Sequence, residues 1–414
     1  MFAHRANGVI AMLTLNALPD HGAPLDPADA AALGEGAADE VERFLRLREE
    51  HRPTPRCALP ALAGELGVGA VFVKDEGFRL GLGSFKALGG AYAVVRLALE
   101  EAARRLGRPV AIEEWRSEAV RAVAAGMTFA CATDGNHGRS VAQGAALVGA
   151  KAIIFVHAGV SAERIAAIAR FGAEVIPVEG NYDDSVLEAA RVSAANGWTI
   201  VSDTAWPGYE RIPLMVMQGY TATVREALRE LDEPPTHVFM QAGVGGLAAA
   251  VAGHLALKFG DARPTFVVVE PSRSACLFAS ARAGRPVKIE PGEPTVMAML
   301  ECYDPSPIAW RVLSRVADAF MTVEDEDAVA VMNRLAHPAR GDPAIVSGES
   351  GGAGLAGLIR CAGSAAARAA LGLGPRSRAL VVNSEGATDP GRYRELVSVA
   401  QPTTLARKLL EIVA

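Results

Sequence analysis

A chain of 414 residues is longer than one hydrophobic core comfortably serves, since single cores stop growing near about 250–300 residues, so two domains are expected. Half of the residues are apolar, a fifth are charged and the net charge is −6, which is ordinary for a soluble globular protein and argues against a nucleic-acid or anionic-membrane surface. Gly, Pro and charged residues interrupt every apolar run before it reaches transmembrane length.

In chain order, the first apolar run, "GVIAMLTLNAL", follows Arg5 and reads as an N-terminal strand. "PDHGAP" follows it, in place of the small-residue site at which a signal peptide would be cut. "AVFVKDE" then reads as a strand and "ALGGAYAVVRLALEEAARRLG" as a helix. "MTFACA" is a strand before the helix "GRSVAQGAALVG". "KAIIFVH" precedes "SAERIAAIARFG", with Ser161 as the expected N-cap. "EVIPV" precedes "YDDSVLEAARVSAANG", and "TIVSD" precedes a helix around 212–231. "HVFMQ", "TFVVVE" and "ALVVNS" complete the strands, and "EPPTH" at 233–237 is a hinge-like break. Strand–helix alternation of this kind predicts an α/β fold: open, twisted, mostly parallel sheets with helices on both faces. Ligands in such sheets lie at the carboxyl ends of strands, so the loops after strands are where chemistry is expected.

Four loops stand out. In "GLGSFKALGG" (81–90), Lys86 opens a helix, where the dipole disfavours a cation. A free lysine is neutral in only about one molecule in 2,500 at pH 7. Backbone dipoles at a helix start favour the neutral amine, a nucleophile for aldehydes. In "ATDGNHGRSVA", two glycines and small polar side chains at a helix N-terminus suit a carboxylate. Asp134 suits it less, because an acid there needs a cation to hold or a proton to move. In "QAGVGGLAAAVAG", Gly243, Val244, Gly245 and Gly246 lead from a strand into an Ala-rich helix, a cradle for phosphate. The spacing Gly243-x-Gly245-x-x-Ala248, with Glu270 ending the next strand, also fits a dinucleotide site. In "VVNSEGATDP", Ser384 ends a strand where a neutral hydroxyl could face a pyridine nitrogen. Each loop alone also fits an ordinary tight turn. An amine and a phosphate cradle together point to pyridoxal phosphate (PLP), which needs both. Cys57, Cys131, Cys276, Cys302 and Cys361 are odd in number and scattered, with no CxxC, so a reducing cytoplasm is expected. Spacing leaves open whether Cys276 meets Cys302. Without HExxH, no protein-bound metal is expected.

The four loops, in this order, resemble the fold-type II PLP enzymes, the serine and threonine dehydratases, threonine synthase and their relatives, over residues from about 50 to about 400. The resemblance implies a tryptophan synthase β-like fold. It makes Lys86 the Schiff-base lysine. It sets Asn136 on the cofactor's 3′-oxygen, Gly243 to Gly246 on its phosphate and Ser384 at its pyridine nitrogen. It also implies a large domain from 1–87 and 220–414 and a small one from 88–219, in a homodimer. Within that group, "GLGSFKALGGAYA", "ATDGNHGRSVA", "DTAWPGYERIPLMVMQGY", "GESGGAG" and "SEGATDP" are most similar to the diaminopropionate ammonia-lyase family.

That family implies PLP-dependent elimination of 2,3-diaminopropionate to pyruvate and two ammonia. Thr133, Asp134, Gly135, His137 and Asp203 would bind substrate, and Lys86, Asp134 and Asp203 would act in catalysis. Asp134 and Asp203 would hold or titrate the second amino group, and Asp134 would take the α-proton of one enantiomer. Asp203 could equally cap a helix after strand 199–203. The alternatives are a PLP-dependent serine or threonine dehydratase, an NAD-dependent dehydrogenase built on Gly243–Ala248 and Glu270, and a non-enzymatic small-ligand sensor.

Overall fold

The computed structural model describes residues 11–133 and 135–399. Eleven strands are present among them: β1 (Leu13–Leu15), β2 (Arg56–Ala58), β3 (Ala70–Asp75), β4 (Thr128–Ala132), β5 (Lys151–His157), β6 (Glu174–Val178), β7 (Thr199–Ile200), β8 (His237–Gln241), β9 (Thr265–Pro271), β10 (Ala319–Val323) and β11 (Arg378–Asn383). They form a seven-stranded sheet in the order β1-β10-β9-β8-β11-β3-β2 and a four-stranded sheet in the order β6-β5-β4-β7. Every interior pairing is parallel, and only the short edge strands β1 and β2 run antiparallel. Parallel strands need crossovers, and helices supply them, so both faces of the central strands are covered. The fold class read from the strand–helix alternation is the one observed.

The strands read from sequence recur with two differences. The run "TIVSD" pairs only over Thr199–Ile200, because beyond them the chain turns away into a loop. The strand β10 ("AFMTV") and the edge strand β2 were not anticipated. The first hides between two helices, Pro307–Val316 and Asp325–Ala336, and the second is three residues long beside Pro53 and Pro55. No helix among the described residues is long and apolar enough to cross a membrane.

By compactness the chain falls into two units. One holds the described residues up to Leu25, Pro55–Asp75 and those from Ala227 onward. The other holds Asp26–Thr54 and Glu76–Glu226. The partition expected from sequence, with breaks after 87 and 219, rests on family resemblance rather than compactness and differs from this division chiefly over 26–54 and 76–87. The first unit contains the seven-stranded sheet. Its core runs from Val71 and Val73 through Phe239, Val267 and Val269 to Val381, all almost wholly buried. Each such side chain contributes roughly 1.5–3 kcal/mol by leaving water. The second unit contains the four-stranded sheet, with Ala130, Ile153 and Phe155 at the centre of its core.

In the second unit the helices Lys86–Leu106 and Asn136–Val148 pack almost backbone to backbone. A Cβ on Gly144 would lie 2.7 Å from the Ala91 Cα. Ser140 Oγ accepts a hydrogen bond from the Ala91 N–H at 2.9 Å. The close seam fixes where the two helix starts stand relative to each other, and both starts carry candidate site residues.

Candidate active site

Lys86 is the first residue of its helix, as the sequence predicts. The loop before it is anchored from below. Arg79 is fully buried and donates to Glu76, Glu226 and the Thr54 hydroxyl, at 2.7 to 3.2 Å. The two carboxylates overcome the cost of burial and hold the guanidinium charged. Leu80 follows at φ 50°, alone among the described non-glycine residues in having a positive φ. That conformation costs an L-residue about 1–2 kcal/mol, which the Arg79 anchor and the burial of the Leu80 side chain offset.

The Lys86 ammonium forms an ion pair with Asp203. Asp203 does not cap a helix, since the next one starts at Arg211. Its loop is closed by Tyr209 instead. The Tyr209 hydroxyl donates to the Ile200 carbonyl at 2.8 Å and accepts from the Ser202 N–H at 3.0 Å. Its ring stacks on Trp206, centroids 4.1 Å apart. Burial opposes ionisation of Asp203, but the Lys86 ammonium beside it holds its carboxyl well below the usual carboxylate range. The side chain is therefore an anion, partly buried and paired.

His137 lies in the first turn of the helix Asn136–Val148 and is 5% exposed. Its Nε2 is 2.7 Å from the Val201 carbonyl oxygen. A carbonyl only accepts, so Nε2 carries the hydrogen. Burial keeps the ring neutral by lowering its pKa, aided by the Lys86 charge and opposed by Asp203. A neutral ring with Nε2–H has a bare lone pair on Nδ1. That atom lies 3.9 Å from Asp203 Oδ2 and has no hydrogen-bond partner. Asn136, also buried, opens the same helix. Thr133 Oγ1 accepts from the Gly135 and Gly138 N–H groups at 3.0 and 3.2 Å, which shapes the turn between strand and helix. Asp134 lies outside the described residues.

Sequence reasoning missed two residues of this cluster. The Tyr220 ring packs edge-on against Phe85, centroids 4.8 Å apart, beside Lys86. Its hydroxyl is buried without a partner, and so is that of Ser84. Burial raises the Tyr220 pKa, and Lys86 and Asp203 are the charges it senses. Ser84 sits in the quoted "GSFK", where its neighbourhood to Lys86 was legible. Tyr220 is mid-helix in Arg211–Arg229, where only the fold reveals its place.

In the other unit the glycine loop follows β8 and opens the helix Gly246–Phe259. Gly245 has φ 100°, a conformation glycine adopts without penalty. A Cβ on Gly243 would lie 2.9 Å from Cys302 Sγ. The Val244 carbonyl accepts from the Ser306 N–H at 3.1 Å. Ser384 follows β11, buried, with its N–H on the Gly351 carbonyl at 3.1 Å. Glu270 is fully buried and accepts from the Leu277 and Phe278 N–H groups at 2.8 and 2.6 Å. Both its oxygens serve a helix start, so they are not presented to a ribose. Burial pushes its pKa up to about 8 against those two hydrogen bonds. None of the five cysteines is in a disulfide.

The sequence profile described as "Pyridoxal-phosphate dependent enzyme" matches residues 47–385. The chain belongs to that family. Among its members the chain is similar to the diaminopropionate ammonia-lyase of Escherichia coli K12, 40% identical over 355 residues, covering 84% of this chain and 87% of that one. The Salmonella typhimurium LT2 enzyme of the same name is 34% identical over 377 residues, 88% of this chain and 93% of that one. A crystal structure of the E. coli enzyme with an aminoacrylate-PLP azomethine reaction intermediate aligns with a TM-score of 0.82 at 36% identity, covering 93% of this chain and 96% of that one.

The residues present fit the family's cofactor. PLP needs an amine and a phosphate seat. Lys86 is an amine held among buried polar atoms that lack partners. The Gly243–Gly246 turn packs too closely against Cys302 and Ala309 to admit side chains at Gly243 and Gly245, and it brings bare backbone to the start of the helix Gly246–Phe259, a seat for an anion.

Proposed function

We propose that this protein is a PLP-dependent carbon–nitrogen lyase that eliminates ammonia from 2,3-diaminopropionate, giving pyruvate and two ammonia. The observation that carries the reading is the partly buried Lys86–Asp203 ion pair, in a chain similar over most of its length to diaminopropionate ammonia-lyases. A substrate with two amino groups brings a second cation, and Asp203 is a carboxylate already balanced against an ammonium. A hydroxyl substrate such as serine would not require it.

In this reading Lys86 is the attachment point for the cofactor, Asn136, Gly243, Val244, Gly245, Gly246 and Ser384 hold it, and Thr133, Asp134, Gly135, His137 and Asp203 bind substrate. When bound, the cofactor supplies an electron sink for the pair left at Cα when its proton departs. The Lys86 amine would accept the α-proton. Asp134 accepts it from the opposite enantiomer. Departure of the β-nitrogen as ammonia requires that it carry a proton, and Asp203 keeps it in the ammonium form. A Ser384 hydroxyl at the pyridine nitrogen would leave that nitrogen neutral, which would limit charge withdrawal and favour elimination over transamination. The enamine product hydrolyses to pyruvate and the second ammonia.

The same reading takes residues 88–219 as the smaller domain, the assembly as a homodimer and the compartment as the reducing cytoplasm. Light scattering should give twice the 43.1 kDa chain mass. The deciding experiment is pyruvate release from DL-diaminopropionate, serine and threonine, with the absorption spectrum recorded alongside. Diaminopropionate should be the best substrate, and a visible band should vanish with borohydride. Preferential turnover of serine would favour a dehydratase, and a colourless protein that binds no PLP would end the reading.

A further inference from the structure

His137 offers a feature that the proposed roles do not use. Its Nδ1 lone pair faces Asp203 Oδ2 across 3.9 Å and is bound to nothing. Two acceptors cannot bond each other. A buried acceptor without a donor is destabilising, so the arrangement calls for a donor that serves both. A nitrogen placed about 2.8 Å from each atom, an ordinary hydrogen-bond length, would see them at an angle of about 90°, close to the spread of two N–H bonds on a tetrahedral ammonium. A hydroxyl has one hydrogen and no charge and can satisfy only one of the two.

The Lys86 ammonium already lies on this carboxylate oxygen. It stands in for a primary ammonium from outside. Once Lys86 is engaged by the cofactor, that ammonium is withdrawn and the two acceptors face whatever enters.

We propose that His137 Nδ1 and Asp203 together form a seat for a primary ammonium group, so that His137 selects a substrate with a second amino group over one with a hydroxyl. This rests on the proposed reaction. The ring is built for the task. Its hydrogen bond to Val201 fixes the tautomer that leaves Nδ1 bare, and Val201 is two residues before Asp203, so one contact registers both acceptors. Charge-assisted bonds to an ammonium are about twice as strong as neutral ones.

Two variants separate selection from mere support. In His137→Gln the side-chain amide can still donate to the Val201 carbonyl, but no acceptor remains where Nδ1 was. In His137→Asn the amide oxygen replaces Nδ1, and the bond to Val201 is lost. The ratio of kcat/KM for diaminopropionate to that for serine should fall about tenfold in His137→Gln, mainly through KM. It should stay within about threefold of the parent in His137→Asn. An unchanged ratio in His137→Gln, or equal losses in both variants, overturns the proposal.

A second readout needs no cofactor. In cofactor-free Lys86→Ala protein carrying 15N-labelled histidine, methylammonium should shift the His137 Nδ1 resonance saturably. Tetramethylammonium, which has no N–H, should not. A resonance that ignores methylammonium overturns the seat. If the protein consumes serine and not diaminopropionate, the proposed reaction fails, and the methylammonium titration still decides the seat.

Discussion

Asp203 is partly buried yet ionised, and this sets its response to pH and to replacement. Its folded-state pKa lies below the ordinary carboxylate value, so it stabilises the native state at neutral pH and loses that contribution as pH falls below about 4. Asp203→Asn should lower kcat for diaminopropionate by about 100-fold. Its stability deficit, measured by urea unfolding, should be constant from pH 7 to about 5 and shrink below pH 4. Glu270 behaves in the opposite sense. Its folded pKa of about 8 is above the ordinary 4.5, so the stability linked to it is full below about pH 4.5 and is lost as pH rises through 8. Urea midpoints should therefore decline between pH 5 and 8.5, and Glu270→Gln should remove most of that slope while losing one of two helix-start hydrogen bonds. A slope that survives the substitution would show that another group titrates. Lys86, His137 and Asp203 were legible in the sequence because each follows a strand or opens a helix. The Tyr220 hydroxyl was not, because its interest lies in having no partner, which no linear pattern records.

Helices and strands were legible wherever the apolar period was long. The helix Lys86–Leu106 opens on Lys86 as expected and stops one residue short of the expected Gly107, which is its left-handed C-cap. The two helices that open on Lys86 and Asn136 meet at a seam no single-helix pattern reveals. Gly144 permits it, with 2.7 Å between its would-be Cβ and the Ala91 Cα. Gly144→Val should force the helices apart, lower the melting temperature by several degrees and reduce kcat as His137 moves relative to Lys86. An unchanged kcat at lower stability would detach the seam from the chemistry. Strand β10 escaped notice for the converse reason: five residues between two helices, four of them buried, carry too short a run to declare their type.

At the level of the whole chain, alternation predicted parallel sheets, and parallel sheets are present. Strand order was not readable, because it depends on which crossovers return beside which strands. β11, last in sequence, lies between β8 and β3 near the centre of its sheet. Buried on both flanks, it holds the first unit together: Asn383, its last residue, donates to Asp75 at the end of β3 at 2.7 Å. Asn383→Leu should leave that buried carboxylate without its amide donor and cost about 1–3 kcal/mol in unfolding free energy. A change under half of that would mean the bond is dispensable. The Arg79 cluster was equally invisible from sequence, since Arg79 and Glu226 are 147 residues apart.

The Tyr209 closure has an implication for how this segment can drift over time. From Ile200 to Tyr209 the chain forms a ring shut by two hydrogen bonds and an aromatic stack, and the acid that balances Lys86 projects from its rim. Side chains on the outside of the ring, such as Pro207, are free to vary, but the circumference is not. One inserted glycine after Pro207 would swing the carboxylate away from its lysine while every named residue survived. Lineages that keep this chemistry should therefore accept exchanges here far more readily than changes in length.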